Sequence, residues 1–243
     1  IITTSMQLTV ASALVRALSV LSLPLLTHYL SPASYGQAAL ASTLISLASV
    51  IGLMGLDMSY ARTYLSHNGP SGKAVETYCW RLALPAAVLA GALAAAIWLL
   101  HAWRDPVAME SLAWWIFVGT VMSLLMAMSQ TRARLKERYT RLTIAVLGGG
   151  ITAVLISLLL SMGPLPDERA LVISYVAAYL VPVVIMGLPS CRQLLSPSGL
   201  DVASQWQVFK VGLPGVVTAP LYWIISSSDR WFLQANFDAE TVG

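Results

Sequence analysis

Apolar residues run along this chain in seven stretches of roughly 20, about the length a helix needs to cross the hydrocarbon core of a bilayer. They cover residues 5–26, 36–59, 79–100, 111–129, 142–162, 170–188 and 207–228. Turn-forming residues punctuate them: Pro32 and Gly36 after the first, Gly69, Pro70 and Gly72 after the second, Pro164 and Pro166 after the fifth, and Pro189, Pro197 and Gly199 after the sixth. The break after the fourth is marked by charge. The pattern predicts an all-α fold, a polytopic transmembrane helical bundle with about seven spans. The first stretch is too long for the apolar region of a cleaved leader, holds Arg16 inside it and lacks a small-residue cleavage site, so it is expected to remain as a helix.

Basic residues fall unevenly on the two sides. Arg62, Lys73, Arg81, the run Arg132, Arg134, Lys136, Arg138 and Arg141, and then Arg192 and Lys210 share one side, whereas the other receives Arg104 and Arg169. Cytoplasmic loops retain such an excess, which places the N-terminus and the loops after the second, fourth and sixth stretches inside the cell. Trp103, Trp114 and Trp115 then fall at the outer boundary, where amphipathic rings favour the headgroup layer.

Composition narrows the function. With 57% hydrophobic and 10% charged residues, the chain lies far from an ordinary soluble domain. A net charge of +3, carried by loops, gives no footprint for nucleic acid. Cys79 and Cys191 have no redox or metal spacing, and His28, His67 and His101 form no ligand set or triad. Gly148, Gly149 and Gly150 lie within an apolar stretch, which argues close helix packing and not a phosphate loop. No catalytic residue, cofactor or metal is expected; the chain does not read as an enzyme.

On the first stretch Ser5, Thr9, Ser12, Arg16 and Ser19 recur every three or four residues and share a helix face. Ser42, Ser46, Ser49 and Asp57 form a similar stripe on the second, all within about a quarter turn, and the two stripes are expected to line one cavity. Small hydroxyl residues also serve simply to bring membrane helices together, and for the serines alone that is the stronger reading. Arg16 is different, because a guanidinium near mid-membrane costs several kcal/mol unless it is paired or hydrated. Asp57 reads equally as a functional acid or a loop residue beside Arg62. Asp229 and Arg230, at the end of the seventh stretch, are secondary candidates that pair with each other or mark the helix end. The run from Arg132 to Arg141 is first a topology determinant beside anionic lipid; its functional version is recruitment of a phosphate-bearing headgroup. Pro182, Pro214 and Pro220 inside spans are candidate hinges.

The order of residues then resembles a known family. Val15-Arg16-Ala17-Leu18, followed by the segment from Leu23 to Pro32 and by Tyr35-Gly36, is similar to the start of the Wzx-type polysaccharide flippases of the multidrug/oligosaccharidyl-lipid/polysaccharide exporter superfamily. Gly55, Ala61-Arg62, the basic break at 132–141, Leu213-Pro214, Ser228-Asp229-Arg230 and Val242-Gly243 resemble its later landmarks. The resemblance implies twelve or more helices in two bundles, of which residues 1–206 form the first six-helix bundle and 207–243 the first helix of the second. The start at Ile1 and the end just after the seventh stretch fit roughly the first half of a longer transporter.

The resemblance also implies a function, the carriage of an undecaprenyl-pyrophosphate-linked oligosaccharide between leaflets of the bacterial inner membrane by alternating access. This would serve O-antigen and other lipopolysaccharide, capsule or exopolysaccharide synthesis, driven by a coupling proton or sodium ion and alongside polysaccharide polymerase partners. In this reading Arg16 meets the pyrophosphate within a cavity that includes Ser12 and Ser19, Arg62 assists at the cytoplasmic mouth, and Asp57 couples the ion. Alternatives are a lipid II flippase, a MATE-like drug or cation antiporter, or a multi-pass polymerase or ligase. The last is disfavoured by short outer loops.

Overall fold

The computed structural model describes residues 2–66, 71–104, 110–163, 167–196 and 199–236. Helix makes up 89% of it and no strand occurs among the described residues, as the apolar pattern requires. The helices are α1 (Ile2–Tyr29), α2 (Pro32–Leu53), α3 (Leu56–Tyr64), α4 (Gly72–Arg104), α5 (Leu112–Leu135), α6 (Tyr139–Ser161), α7 (Glu168–Met186), α8 (Cys191–Leu195) and α9 (Val202–Asn236). Among the described residues six helices are long and apolar enough to cross a membrane: α2, α4, α5, α6, α7 and the Val202–Ile225 part of α9. α1 is a 28-residue helix that contributes the apolar stretch Met6–Ser22, with Arg16 inside it, among the described residues.

Local chemistry explains several boundaries. Ser31 caps α2 by accepting a hydrogen bond from the Ser34 N–H at 3.1 Å, and Pro32 sits where a missing N–H costs nothing. Asp167 caps α7 in the same way through Arg169 N–H at 2.9 Å. The expected helix over 36–59 is in fact two: Met54 (φ 49°) and Gly55 (φ 67°) are both left-handed, which ends α2 and starts α3 in a new direction. Hydropathy cannot register such a break, because Met, Gly and Leu remain apolar across it. α4 begins at Gly72, two turns ahead of the apolar stretch that starts at 79, and so carries Lys73, Glu76 and Thr77 on helix. α9 likewise starts at Val202, ahead of the expected 207.

Packing divides the core of the described residues into three clusters. The first joins the end of α1 (Leu26, Leu30), the first half of α2, the last half of α4 around the fully buried Trp98, and the beginnings of α5 and α7. The second joins α3, the first half of α4 around Trp80, the last half of α5, Val183 of α7 and Val208 of α9, and the third joins Ala133 of α5, Leu142 and Ala145 of α6 and Met186 of α7. α6 lies against α7 and carries α1 on its other side, whereas α9 lies on α2 and α3 at the far edge.

The glycine triplet makes the α6 junctions close. A Cβ on Gly149 would sit 2.7 Å from the Ala178 carbonyl oxygen, and one on Gly150 would sit 2.5 Å from Val15. Close packing is therefore the role of this triplet, with Gly149 seating α7 and Gly150 seating α1. At the opposite edge Gly55 and Gly212 bring the α2–α3 break against the backbone of α9.

Two exposed tryptophans flank the α4–α5 connection, and Trp206 near the start of α9 is exposed as well. Trp103 at the end of α4 and Trp114 at the start of α5 are 84% and 63% exposed, a placement suited to a headgroup layer and not to a packed core.

Candidate functional site

α1 uses one face for packing. Ala11, Ser22 and Leu26 are buried, and Val15 meets Gly150, which aligns these residues on the side toward α6. Ser12, Arg16 and Ser19 lie about a quarter turn away and are exposed. Ser12 donates to the Leu8 carbonyl at 2.9 Å and Ser19 to the Val15 carbonyl at 3.0 Å, so each hydroxyl is satisfied within its own helix. Arg16 has no ion pair or hydrogen bond among the described residues. It presents a full positive charge on an open face of an otherwise apolar helix.

The stripe on α2 is spent differently. Ser42, Ser46 and Ser49 donate to the carbonyls of Ala39, Thr43 and Ser46. Ser49 also accepts from Ser123 of α5 at 3.2 Å, and Ser46 from the Trp223 indole N–H of α9 at 2.8 Å. Ser46 and Ser49 thus join helices, the packing role that small hydroxyl residues fill in membranes, while Ser42 bonds only within α2. The two stripes do not line one described cavity: α1 is carried by α6, while α2 packs on α4, α5, α7 and α9. Asp57 is separated from the serines by the left-handed break and lies half-buried in the first turn of α3, where a carboxylate complements the helix dipole. Arg62 is exposed in the last turn of α3, again favourable to the dipole. Asp229 and Arg230 belong to the backbone of α9; their side chains lie outside the described ones, as do His67 and the landmark Val242-Gly243.

A charge cluster that sequence reasoning missed lies at the start of α4 and the end of α5. Glu76, only 1% exposed, accepts from Arg132 Nε at 2.6 Å through Oε1, and its Oε2 lies 2.8 Å from Lys136 Nζ. Arg132 also donates to the Gly187 carbonyl at the end of α7, at 3.2 Å. One buried carboxylate thus ties three helices. The signal was present: Arg132 and Lys136 are four residues apart on one helix, the spacing that lets two cations grip one acid. Arg134, Arg138 and Arg141 of the same run are exposed. Tyr60 of α3, fully buried, lies near this cluster; burial first, and then the Glu76 carboxylate, pushes its phenol up, so it stays protonated.

Six helices among the described residues that are long and apolar enough to cross a membrane define a multi-pass membrane protein. Its family is shown by a match of the polysaccharide biosynthesis protein family to residues 25–243: the chain belongs to that family and acts in polysaccharide biosynthesis. The match supports the resemblance to Wzx-type flippases. No curated protein and no solved structure matches the chain.

Proposed function

We propose that the chain is a transport unit that carries an undecaprenyl-pyrophosphate-linked oligosaccharide from the cytoplasmic to the outer leaflet of the bacterial inner membrane. It works as a transporter and not as an enzyme. The observation that carries this reading is Arg16, an exposed cation without a partner among the described residues, inside an apolar helix whose packed face points elsewhere. Bare contact with lipid would cost it several kcal/mol, so its face is best suited to water and an anionic group such as a pyrophosphate.

Ser12 and Ser19 flank Arg16, and their oxygens keep a free lone pair for sugar hydroxyls. Asp57 and Arg62 stand at the two ends of α3 near the cytoplasmic side, with Asp57 as the group that exchanges a proton or sodium ion. Asp229 and Arg230 are secondary contacts on α9. The charge asymmetry of the loops supports a cytoplasmic N-terminus. The family's role in polysaccharide biosynthesis supports a lipid-linked sugar over a drug, and a polymerase acting on the delivered repeat unit is the natural partner. In the wider reading, residues 1–206 form one bundle and 207–243 hold the first helix of a second.

The test is Arg16→Gln in the full-length gene in its host, at matched protein level, with lipid-linked repeat units assayed in each leaflet. Accumulation on the cytoplasmic side is the expected result. Normal delivery to the outer leaflet would sink the proposal.

A further inference from the structure

A pocket of about 580 Å³ opens beside the buried Glu76, between the first turns of α4, the end of α5 and α8. Lys73, Lys136 and Arg192 line it, with Ser190 and Thr77 among its hydroxyl groups. The single carboxylate in this lining, Glu76, is already engaged by Arg132 and Lys136. Lys73 and Arg192 are exposed and have no ion pair among the described residues. Ser190 accepts from the Gln193 N–H, which leaves its own proton free to donate. The pocket therefore has a surplus of cationic donors directed at a concave space.

Its position limits what can enter. The lining residues of α4 precede the apolar part of that helix, so the pocket sits level with the headgroup layer. None of its lining comes from α1, α2, α3 or α9, which separates it from Arg16.

We propose that this pocket binds a phosphate group, held by Lys73 and Arg192 and oriented by Lys136 and Ser190. Arginine grips two phosphate oxygens with its planar fork, and lysine adds a compact charge. The phosphate comes either from an anionic lipid of the cytoplasmic leaflet or from a free anion in solution. This site does not depend on the transport reading, and its test involves no transport.

The experiment titrates the detergent-solubilised full chain with short-chain phosphatidylglycerol and with inorganic phosphate, followed by native mass spectrometry and calorimetry. Lys73→Ala and Arg192→Ala are each expected to weaken binding about fivefold, the size of one basic residue's attraction to an anionic surface. The double variant should weaken it about 25-fold on the same basis. Lys73→Arg should retain binding, which separates a charge role from a folding role, and Arg104→Ala at the opposite end of α4 should change nothing. Phosphatidylglycerol binding that millimolar phosphate does not displace identifies the lipid as the source, whereas binding of inorganic phosphate that the double variant abolishes identifies the free anion. The proposal is overturned if neither probe binds, or if the double variant, shown to be folded by its thermal transition, binds as the parent does.

Discussion

Arg16 of α1 and Arg132 of α5 are both guanidiniums on helices of an apolar bundle, and the protein treats them in opposite ways. Arg132 turns inward, meets Glu76 at 2.6 Å and reaches the end of α7, while Lys136 one turn on closes the other side of the same carboxylate. Arg16 turns away from the face that packs on α6 and makes no ion pair or hydrogen bond among the described residues. A charge whose partner is built in is a structural tie. A charge left open inside an apolar helix has its partner elsewhere, and in a transporter that partner is water or substrate.

The largest expected effect would break the first half of this comparison. Glu76→Ala leaves Arg132 and Lys136 facing each other in a half-buried space, and loss of one partner from such a knot costs about 3–5 kcal/mol. Thermal unfolding in detergent should show a large drop in midpoint; a change within error would mean that the cluster is not a tie.

The second half is tested by Arg16→Gln, for which stability should stay within about 0.5 kcal/mol because no contact is lost. Transport should fall about tenfold or more, the value of a hydrogen bond to a charged group. A protein that loses both stability and transport would show that Arg16 is a tie like Arg132.

Packing on either side of α6 provides a third measure. Gly149→Ala places a methyl 2.7 Å from the Ala178 carbonyl, and overpacking of this kind costs about 1–3 kcal/mol, read as a lower unfolding midpoint in detergent. Ser12→Ala should be nearly neutral for stability, within about 0.5 kcal/mol, because its hydroxyl bonds only within α1.

The smallest effect concerns the start of α9. Hydrogen bonds from Ser204 hold the exposed Asp201 carboxyl below its ordinary value of 3.8. Its folded value is thus below its unfolded one, so the contribution is present above the ordinary carboxylate range and fades as pH falls through the folded value. Asp201→Asn should remove that small acid-side slope from the pH dependence of unfolding.

Much of the architecture is legible in the order of residues. Hydropathy locates the six long apolar helices among the described residues, since the length of an apolar run that can cross a bilayer is read directly from composition. The glycine triplet announces a close helix contact because only a missing side chain permits it. Arg16 stands out for the cost of its charge alone. The break at Met54 and Gly55 does not show, since it is a backbone event within apolar residues, and it removes Asp57 from the serine stripe that a continuous 3.6-residue period would extend to it.

Glu76 is hidden for a related reason. A carboxylate in a polar segment looks solvated until a helix 56 residues further on brings Arg132 to it. The sequence by itself determined which segments enter the membrane, which side the basic loops favour and that α1 carries a charge within its apolar stretch, because these follow from transfer free energies of residues taken one at a time. Tertiary structure alone decided which charges are spent on one another, which serines join helices and which face of α1 stays open, because those depend on distances between residues that the chain order does not contain.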